Sequence, residues 1–401
     1  STWTNSDDLY VGNYGSGTLN IESGAVVNNS CGYIGYESGS TGLVIVNGAG
    51  STWTCIESLY VGFKDSGTLR ITDGATVNSS ASCISGDTTV NGSGSTWNTS
   101  GKLSVDYGAL CISSGATVNN DSCDIGTMDS VTVDGTGSTW VTNGTLLVGV
   151  GYYGVERRYV APGRLCISGG ATVSNGDCRI GGIRSRGEVT VEGAGSTWTN
   201  NNDLSIGCLG SGTLSISDAG LVSVAGTLTI YDDSDGFINM STGGMLALHG
   251  DGDDSLDDFL GMVDGTDAIR YWDDSISDWA DITGATSGRD YTLSYLSEGD
   301  LDGYTVLTVD RAIEGDSNHD GAVDGADAAV IATYWLTASG ATWEMGDFNN
   351  DGTVDEIDAT LLAANWHSGV DEQTVPEPSA VCGLMGLAMA GLLGYRRAKK
   401  R

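Results

Sequence analysis

The chain has 401 residues, of which 62 are glycine and three proline, and a formal charge of −35. So little proline excludes a collagen triplet, and the charge excludes partners held by phosphate contacts, such as nucleic acid or an anionic membrane surface. Five of the 17 basic residues follow Tyr395, which leaves 12 against 52 acidic residues in the body before it, a charge of −40 that suits a saline or calcium-containing exterior.

The chain opens at Ser1-Thr2-Trp3, in the middle of a repeat unit. We expect a processed or truncated start. Trp3, Trp53, Trp97, Trp140 and Trp198 each follow Ser-Thr, and Leu9, Leu59, Leu103, Leu146 and Leu204 come six residues later. A Gly-x-Leu-x-Ile segment follows, as in Gly17 to Ile21 and Gly212 to Ile216. Four units then carry Gly-Ala-x-Val, ending at Val27, Val77, Val118 and Val173. Apolar residues alternate with polar ones, the period of a strand buried on one face. Each unit splits into similar halves: Ile21 to Val46 is 25 residues and Val27 to Trp53 is 26. A half-unit of that size predicts one coil of a parallel β-helix, whose coils bury their apolar face only by stacking. The expected fold is all-β, a right-handed parallel β-helix over residues 1–230. The fixed place of the tryptophans predicts core or corner packing rather than sugar platforms.

The pattern Gly-Ser-Thr-Trp, Leu-x-Val-Gly, Gly-Thr-Leu-x-Ile and Gly-Ala-x-Val resembles the autotransporter/PEP-CTERM-associated repeat, over slightly more than half of the chain. That resemblance implies a surface scaffold or adhesin and brings no catalytic residues with it. Cys31, Cys83, Cys123 and Cys178 are expected at one equivalent repeat position, and Cys111 and Cys166 at another. Equivalent cysteines two coils apart lie about 10 Å from each other, beyond disulfide reach, so they read as small buried apolar residues.

The fourth unit carries an insertion around Gly151 to Pro162. Its Tyr152, Tyr153, Arg157 and Arg158 are candidates for glycan binding, because a side loop on a solenoid is a common place for function. With Arg164, Arg179, Arg184 and Arg186 they make the basic cluster of the exported body. The two readings are a solvated face that locally balances acid, and a polysaccharide lyase or binder acting on extracellular acidic polysaccharide. Only three histidines are present, His249, His319 and His367, which gives little support for a zinc enzyme or a serine triad.

From about Ala225 the repeat fades. Residues 231–311 are expected to be an acidic cap closing the solenoid's open edge, with two strands between Tyr291 and Val309.

Residues 316–327 and 347–358 each place oxygen donors at loop positions 1, 3, 5, 9 and 12, with glycine at 6. A calcium-sized cation needs six to eight oxygens around such a turn. Asp316, Asn318, Asp320, Asp324 and Asp327, with the Ala322 carbonyl, form the first candidate set. Asp347, Asn349, Asp351, Asp355 and Asp358, with the Thr353 carbonyl, form the second. Helices are expected over Ala328 to Leu336 and Ala359 to Trp366. The doubled loop resembles a type I dockerin over residues 312–370, which implies calcium as cofactor and a cohesin-like domain as partner. The pairs Gly325-Ala326 and Glu356-Ile357 depart from that family at the positions that carry partner contacts.

Residues 371–401 hold Val375, Pro376, Glu377 and Pro378, then the uncharged stretch Ser379 to Tyr395, then Arg396, Arg397, Lys399, Lys400 and Arg401. The stretch is just long enough to span a bilayer as a helix, with the basic end in the cytoplasm. This order resembles a PEP-CTERM sorting signal. It implies recognition by an exosortase-type enzyme, cleavage near Val375–Pro378, and release or attachment at the cell surface or extracellular matrix. The sequence thus reads as an exported, non-catalytic structural or adhesin-like protein that touches membrane only through its tail.

Overall fold

The computed structural model describes residues 1–151, 161–208, 210–231, 235–266, 268–273, 276–309, 315–318, 322–349 and 351–366. The chain divides into two compact units, one of Ser1–Gly284 with Leu293–Val309, the other of Ala285–Thr292 with the chain from Asp310 onward.

In the first unit the repeats wind into a parallel β-solenoid. Most coils contribute three short strands, as in Thr52–Cys55, Ser58–Val61 and Ser66–Thr72, and in two coils the first pair is continuous, as Thr96–Val105 and Thr117–Gly126. Each strand hydrogen-bonds in parallel to its counterpart in the next coil, so three ladders run along the unit. The spacings read from the sequence are the register itself: Ile21 pairs with Val46 and Val27 with Trp53. Inward side chains alternate with outward ones along these strands, which puts the core on the coil axis.

The two-coil period has a packing cause. In the first ladder Trp53, Trp97, Trp140 and Trp198 alternate with Val77, Val118 and Val173. In the second, Leu59, Leu103, Leu146 and Leu204 alternate with Ser82, Cys123 and Cys178. In the third, Ile21, Ile71, Ile112 and Ile167 alternate with Val46, Val90 and Val133. A bulky coil therefore always lies on a slim one. A bulky rung and a slim one together fill the coil interior, which is what close packing of a core requires. Gly32 shows the tolerance: a Cβ there would lie 2.7 Å from Trp53 Cζ2 and 2.8 Å from Cys55 Sγ. At the turn out of the second strand, Gly35 takes φ +70°, and a Cβ there would meet the Ser66 carbonyl oxygen at 2.3 Å.

The cysteines divide by facing. Cys123 and Cys178 lie two coils apart on either side of Leu146, both buried, and no cysteine among the described residues forms a disulfide. Burial pushes the Cys55 thiol up to about 12 and those of Cys123 and Cys178 well above the usual range, so they stay protonated and inert. Neither Cys31 nor Cys83 shares their position: Gly32 fills it beside Cys31, and Cys83 lies one residue past it. Cys83 pairs with Tyr60 and Ser104 on the outward side, and Ser82 takes the buried place. Cys111 and Cys166 are likewise outward and half-buried, aligned through Thr132.

Parallel coiling continues past residue 230, where the cap was expected to begin. Gly236–Met240 pairs with Ile269–Asp273, and Leu228–Ile230 with Val263–Gly265. The Ser-Thr-Trp signature is lost there, yet Ile238, Met240, Leu246 and Leu248 keep the inward period and stay buried. Closure comes from a change of strand direction: Tyr304–Val309 lies antiparallel on Gly244–His249, and Asp278–Asp281 on Ile269–Asp273.

Among the described residues the second unit holds two α-helices, Gly325–Tyr334 and Glu356–Ala364, around a core that includes Val323, Ile331, Trp343, Phe348, Val354 and Leu362. Both helices start three residues earlier than expected, because Asp324 and Asp355 cap them from inside the acidic loops. Among the described residues no helix is long and apolar enough to cross a membrane. The stretch Ser379 to Tyr395, expected to be such a helix, lies outside them.

Candidate functional site

The acidic loops are built alike. In the first, Asp327 Oδ1 accepts from the Ser317 amide at 2.8 Å and its Oδ2 from the Asp324 amide at 2.9 Å. In the second, Asp358 Oδ1 accepts from the Phe348 amide at 2.8 Å and its Oδ2 from the Asp355 amide at 2.8 Å. Asp324 and Asp355 accept in turn from the amides of Ala326 and Ile357, so positions 9 and 12 of each loop form a capping box. Val323 and Val354, each at position 8, are buried in the shared core and tie the loops to it. Gly352, at position 6, turns at φ +81° and donates its amide to Asp347 Oδ2 at 2.8 Å. Asp351 accepts from the Thr353 hydroxyl and the Asn349 amide, and these bonds hold its carboxyl below the usual range.

Asp316, Asp327, Asp347 and Asp358 are buried. Burial pushes the Asp347 carboxyl up, and the nearby Asp358 and Asp351 add to the rise against the amides of Gly352 and Asp351. The sequence has no Lys or Arg between Arg311 and Arg396. Buried carboxylates among oxygen-rich neighbours are the kind of donors that a hard cation takes. Asn318, Ala322, Asn349 and Thr353 lie in the same loops, while Asp320 falls outside the described residues. Among the described residues no three His, Cys, Asp or Glu side chains converge as a metal cluster. The carboxylates are instead spread along the loops, on backbone amides.

On the solenoid the structure reveals an aromatic terrace that motif reading missed. Tyr10, Tyr33 and Tyr60 occupy one outward row of the second ladder, with ring centroids 4.9 and 5.0 Å apart and planes within 8° and 4° of parallel. Tyr36 and Phe63 stack beside them at 5.2 Å and meet them edge-on. Lys64 Nζ lies 5.2 Å from the Tyr36 centroid and 2.9 Å from Glu37 Oε2. The rings spend their faces on one another, so the terrace offers edges and hydroxyls. The available signal was the recurrence of an aromatic one residue after Leu9 and Leu59, at variable positions of the repeat.

Four of the five repeat tryptophans are core residues, as expected, while Trp3 is half exposed. Trp53, Trp97, Trp140 and Trp198 are wholly buried. Trp53, Trp140 and Trp198 donate their indole N–H to Asn29, Asn120 and Asn175 at 2.6–2.7 Å.

The arginines of this cluster that the structure places in strands are spread over two ladders. Arg164 and Arg186 flank Glu188 on the third ladder, at 3.1 and 3.9 Å, while Arg179 lies outward on the second. Tyr152, Tyr153, Arg157 and Arg158 lie outside the described residues, as do Val375, Pro376, Glu377 and Pro378.

Residues 314–365 match the family model of the Dockerin type I domain, and residues 374–400 that of the PEP-CTERM protein-sorting motif. A solved structure, the crystal structure of a TibC-catalysed hyper-glycosylated TibA55-350 fragment, aligns with 60% of this chain and 89% of its own at 16% identity, with a TM-score of 0.26. No curated protein matches the chain. The repeats, the double loop and the tail together therefore make this an exported, cell-surface or extracellular protein, in which a parallel β-solenoid is followed by a type I dockerin domain and a PEP-CTERM sorting motif.

Proposed function

We propose that this chain is a non-catalytic structural or adhesin-like protein of the cell surface or extracellular matrix. The observation that carries the reading is the order of parts in one chain: a solenoid of continuous ladders, then a dockerin match, then a sorting match. A solenoid repeats its outward surface from coil to coil and so suits display. The split of Arg164, Arg179 and Arg186 between two ladders argues against a basic cleft for lyase chemistry. Right-handed winding is the sense that parallel crossovers favour.

In this reading the double loop binds calcium. Asp316, Asn318, Asp320, Asp324 and Asp327 with the Ala322 carbonyl hold one ion, and Asp347, Asn349, Asp351, Asp355 and Asp358 with the Thr353 carbonyl hold the other. The ions supply positive charge to these buried carboxylates, and so stabilise the folded module. A cohesin-like domain is the partner that the dockerin match suggests, and an exosortase-type enzyme the one that the sorting match suggests. Incubating the full chain with uronic-acid polymers tests the non-catalytic reading. We expect the polymers to keep their length; accumulation of unsaturated oligomers would overturn it.

A further inference from the structure

We propose that a groove along the corner between the first and second ladders binds a neutral polysaccharide strand. It rests on the display reading and names the ligand class. The groove has a volume of about 530 Å³ and crosses the coils from Thr54 to Asn143. Its side is one outward row of the first ladder, in which Thr54, Asn78, Asn98 and Asn119 stand in direct register. Asn119 Nδ2 donates to Asn98 Oδ1 at 2.9 Å, and Asn98 Nδ2 donates to Asn78 Oδ1 at 3.0 Å. An amide has two N–H donors and two acceptor lone pairs. Each bonded rung therefore keeps donor and acceptor capacity, repeated every strand spacing of about 4.8 Å. That spacing is close to the length of one pyranose in an extended chain, and vicinal hydroxyls are the complementary donor–acceptor partners. All the amides point the same way, which gives the row a direction, as a polysaccharide has. Val141 replaces asparagine in the next coil and ends it.

A second observation marks the same place. Trp53, Trp140 and Trp198 each satisfy their indole N–H on a buried asparagine. At Trp97 the corresponding residue is Ser79, whose hydroxyl is engaged by Ser82 at 2.7 Å and Thr99 at 3.1 Å. The Trp97 N–H has no partner and is wholly buried. By its equivalence to the other three, it is directed at the Ser79 position, and Ser79 and Thr99 line the groove. The groove thus opens where the asparagine is replaced by a smaller residue and a donor is left over.

Charge selects the ligand class. In a chain of net charge −35, Asp121 is the one charged residue lining the groove, and it sits exposed at the rim. An uncharged, hydroxyl-rich polymer avoids the repulsion that an acidic glycan would meet across this surface.

Calorimetry of the full chain with neutral gluco- and manno-oligosaccharides, and with oligogalacturonate as the acidic comparison, tests the proposal. Asn98→Val and Asn78→Thr copy residues that the fold already places in this row, Val141 and Thr54, so their folding is checked by unchanged thermal unfolding. We expect a neutral oligosaccharide to bind, oligogalacturonate not to bind, and each variant to weaken binding at least roughly tenfold, as loss of hydrogen bonds at this site implies. Ser174→Val, in the same row beyond the groove, should leave binding unchanged. Absence of binding to every neutral probe, preference for the acidic one, or equal binding by Asn98→Val would overturn the groove. Binding in solution by a protein retained in the cytoplasm of its host would sustain the groove and overturn the display reading.

Discussion

Each wholly buried indole in this solenoid lies on a slim neighbour, and three of the four also find an acceptor for their N–H. Trp198 has both, in Val173 alongside and in Asn175, which accepts its N–H at 2.7 Å. Trp97 has slim neighbours in Val77 and Val118 but no acceptor. The pair makes a controlled comparison. Trp198→Phe leaves the Asn175 oxygen without its donor, whereas Trp97→Phe removes a polar group that was already unpaired. We expect Trp198→Phe to cost more than Trp97→Phe by about 1–3 kcal/mol in denaturant unfolding. Equal costs would show that the hydrogen bond adds nothing. The burial of the tryptophans was legible from their fixed place in the repeat, but their partners were not. Asn29, Asn120 and Asn175 precede Trp53, Trp140 and Trp198 by 24, 20 and 23 residues. No local pattern joins residues that meet only after a full coil has closed. The tyrosine row was hidden for a related reason: one face of a strand is read from its apolar alternation, and Tyr10, Tyr33 and Tyr60 occupy the other.

At the scale of elements, loop and helix in the acidic module are one structure. Asp327 and Asp358 each bind two backbone segments, one at the loop entry and one at the helix cap. Each is both the last position of a candidate calcium loop and the N3 residue of a capping box. This overlap explains why spacing revealed the loops but misplaced the helix starts: Asp324 and Asp355 were read as ligands, and their capping role moves each helix three residues toward the N-terminus. It also predicts coupling between ion and helix. Asp358→Asn keeps the size of the side chain but removes a charge, and one of its atoms becomes a donor facing amide donors. We expect calcium to raise the helical circular-dichroism signal of the native module, and Asp358→Asn to weaken calcium affinity at least about tenfold and reduce that rise, in keeping with the oxygen demand of the ion. A module equally helical with calcium and with chelator would remove calcium from the account.

For the whole molecule, the solenoid was legible because a coil's length in sequence is its register in space: Ile21–Val46 and Val27–Trp53 are ladder partners. Its end was less so, since Gly236–Met240 and Gly244–His249 keep coiling on alternation alone after the tryptophan signature has gone. Function at this scale rests on three parts in series, of which the last decides where the other two work. Fractionation of the native host's envelope, with mass spectrometry of the mature C-terminus, measures that directly. The account predicts a protein in the surface or extracellular fraction whose chain ends near Val375–Pro378, without the stretch Ser379 to Tyr395. A cytoplasmic protein that keeps Arg401 at its end would contradict it.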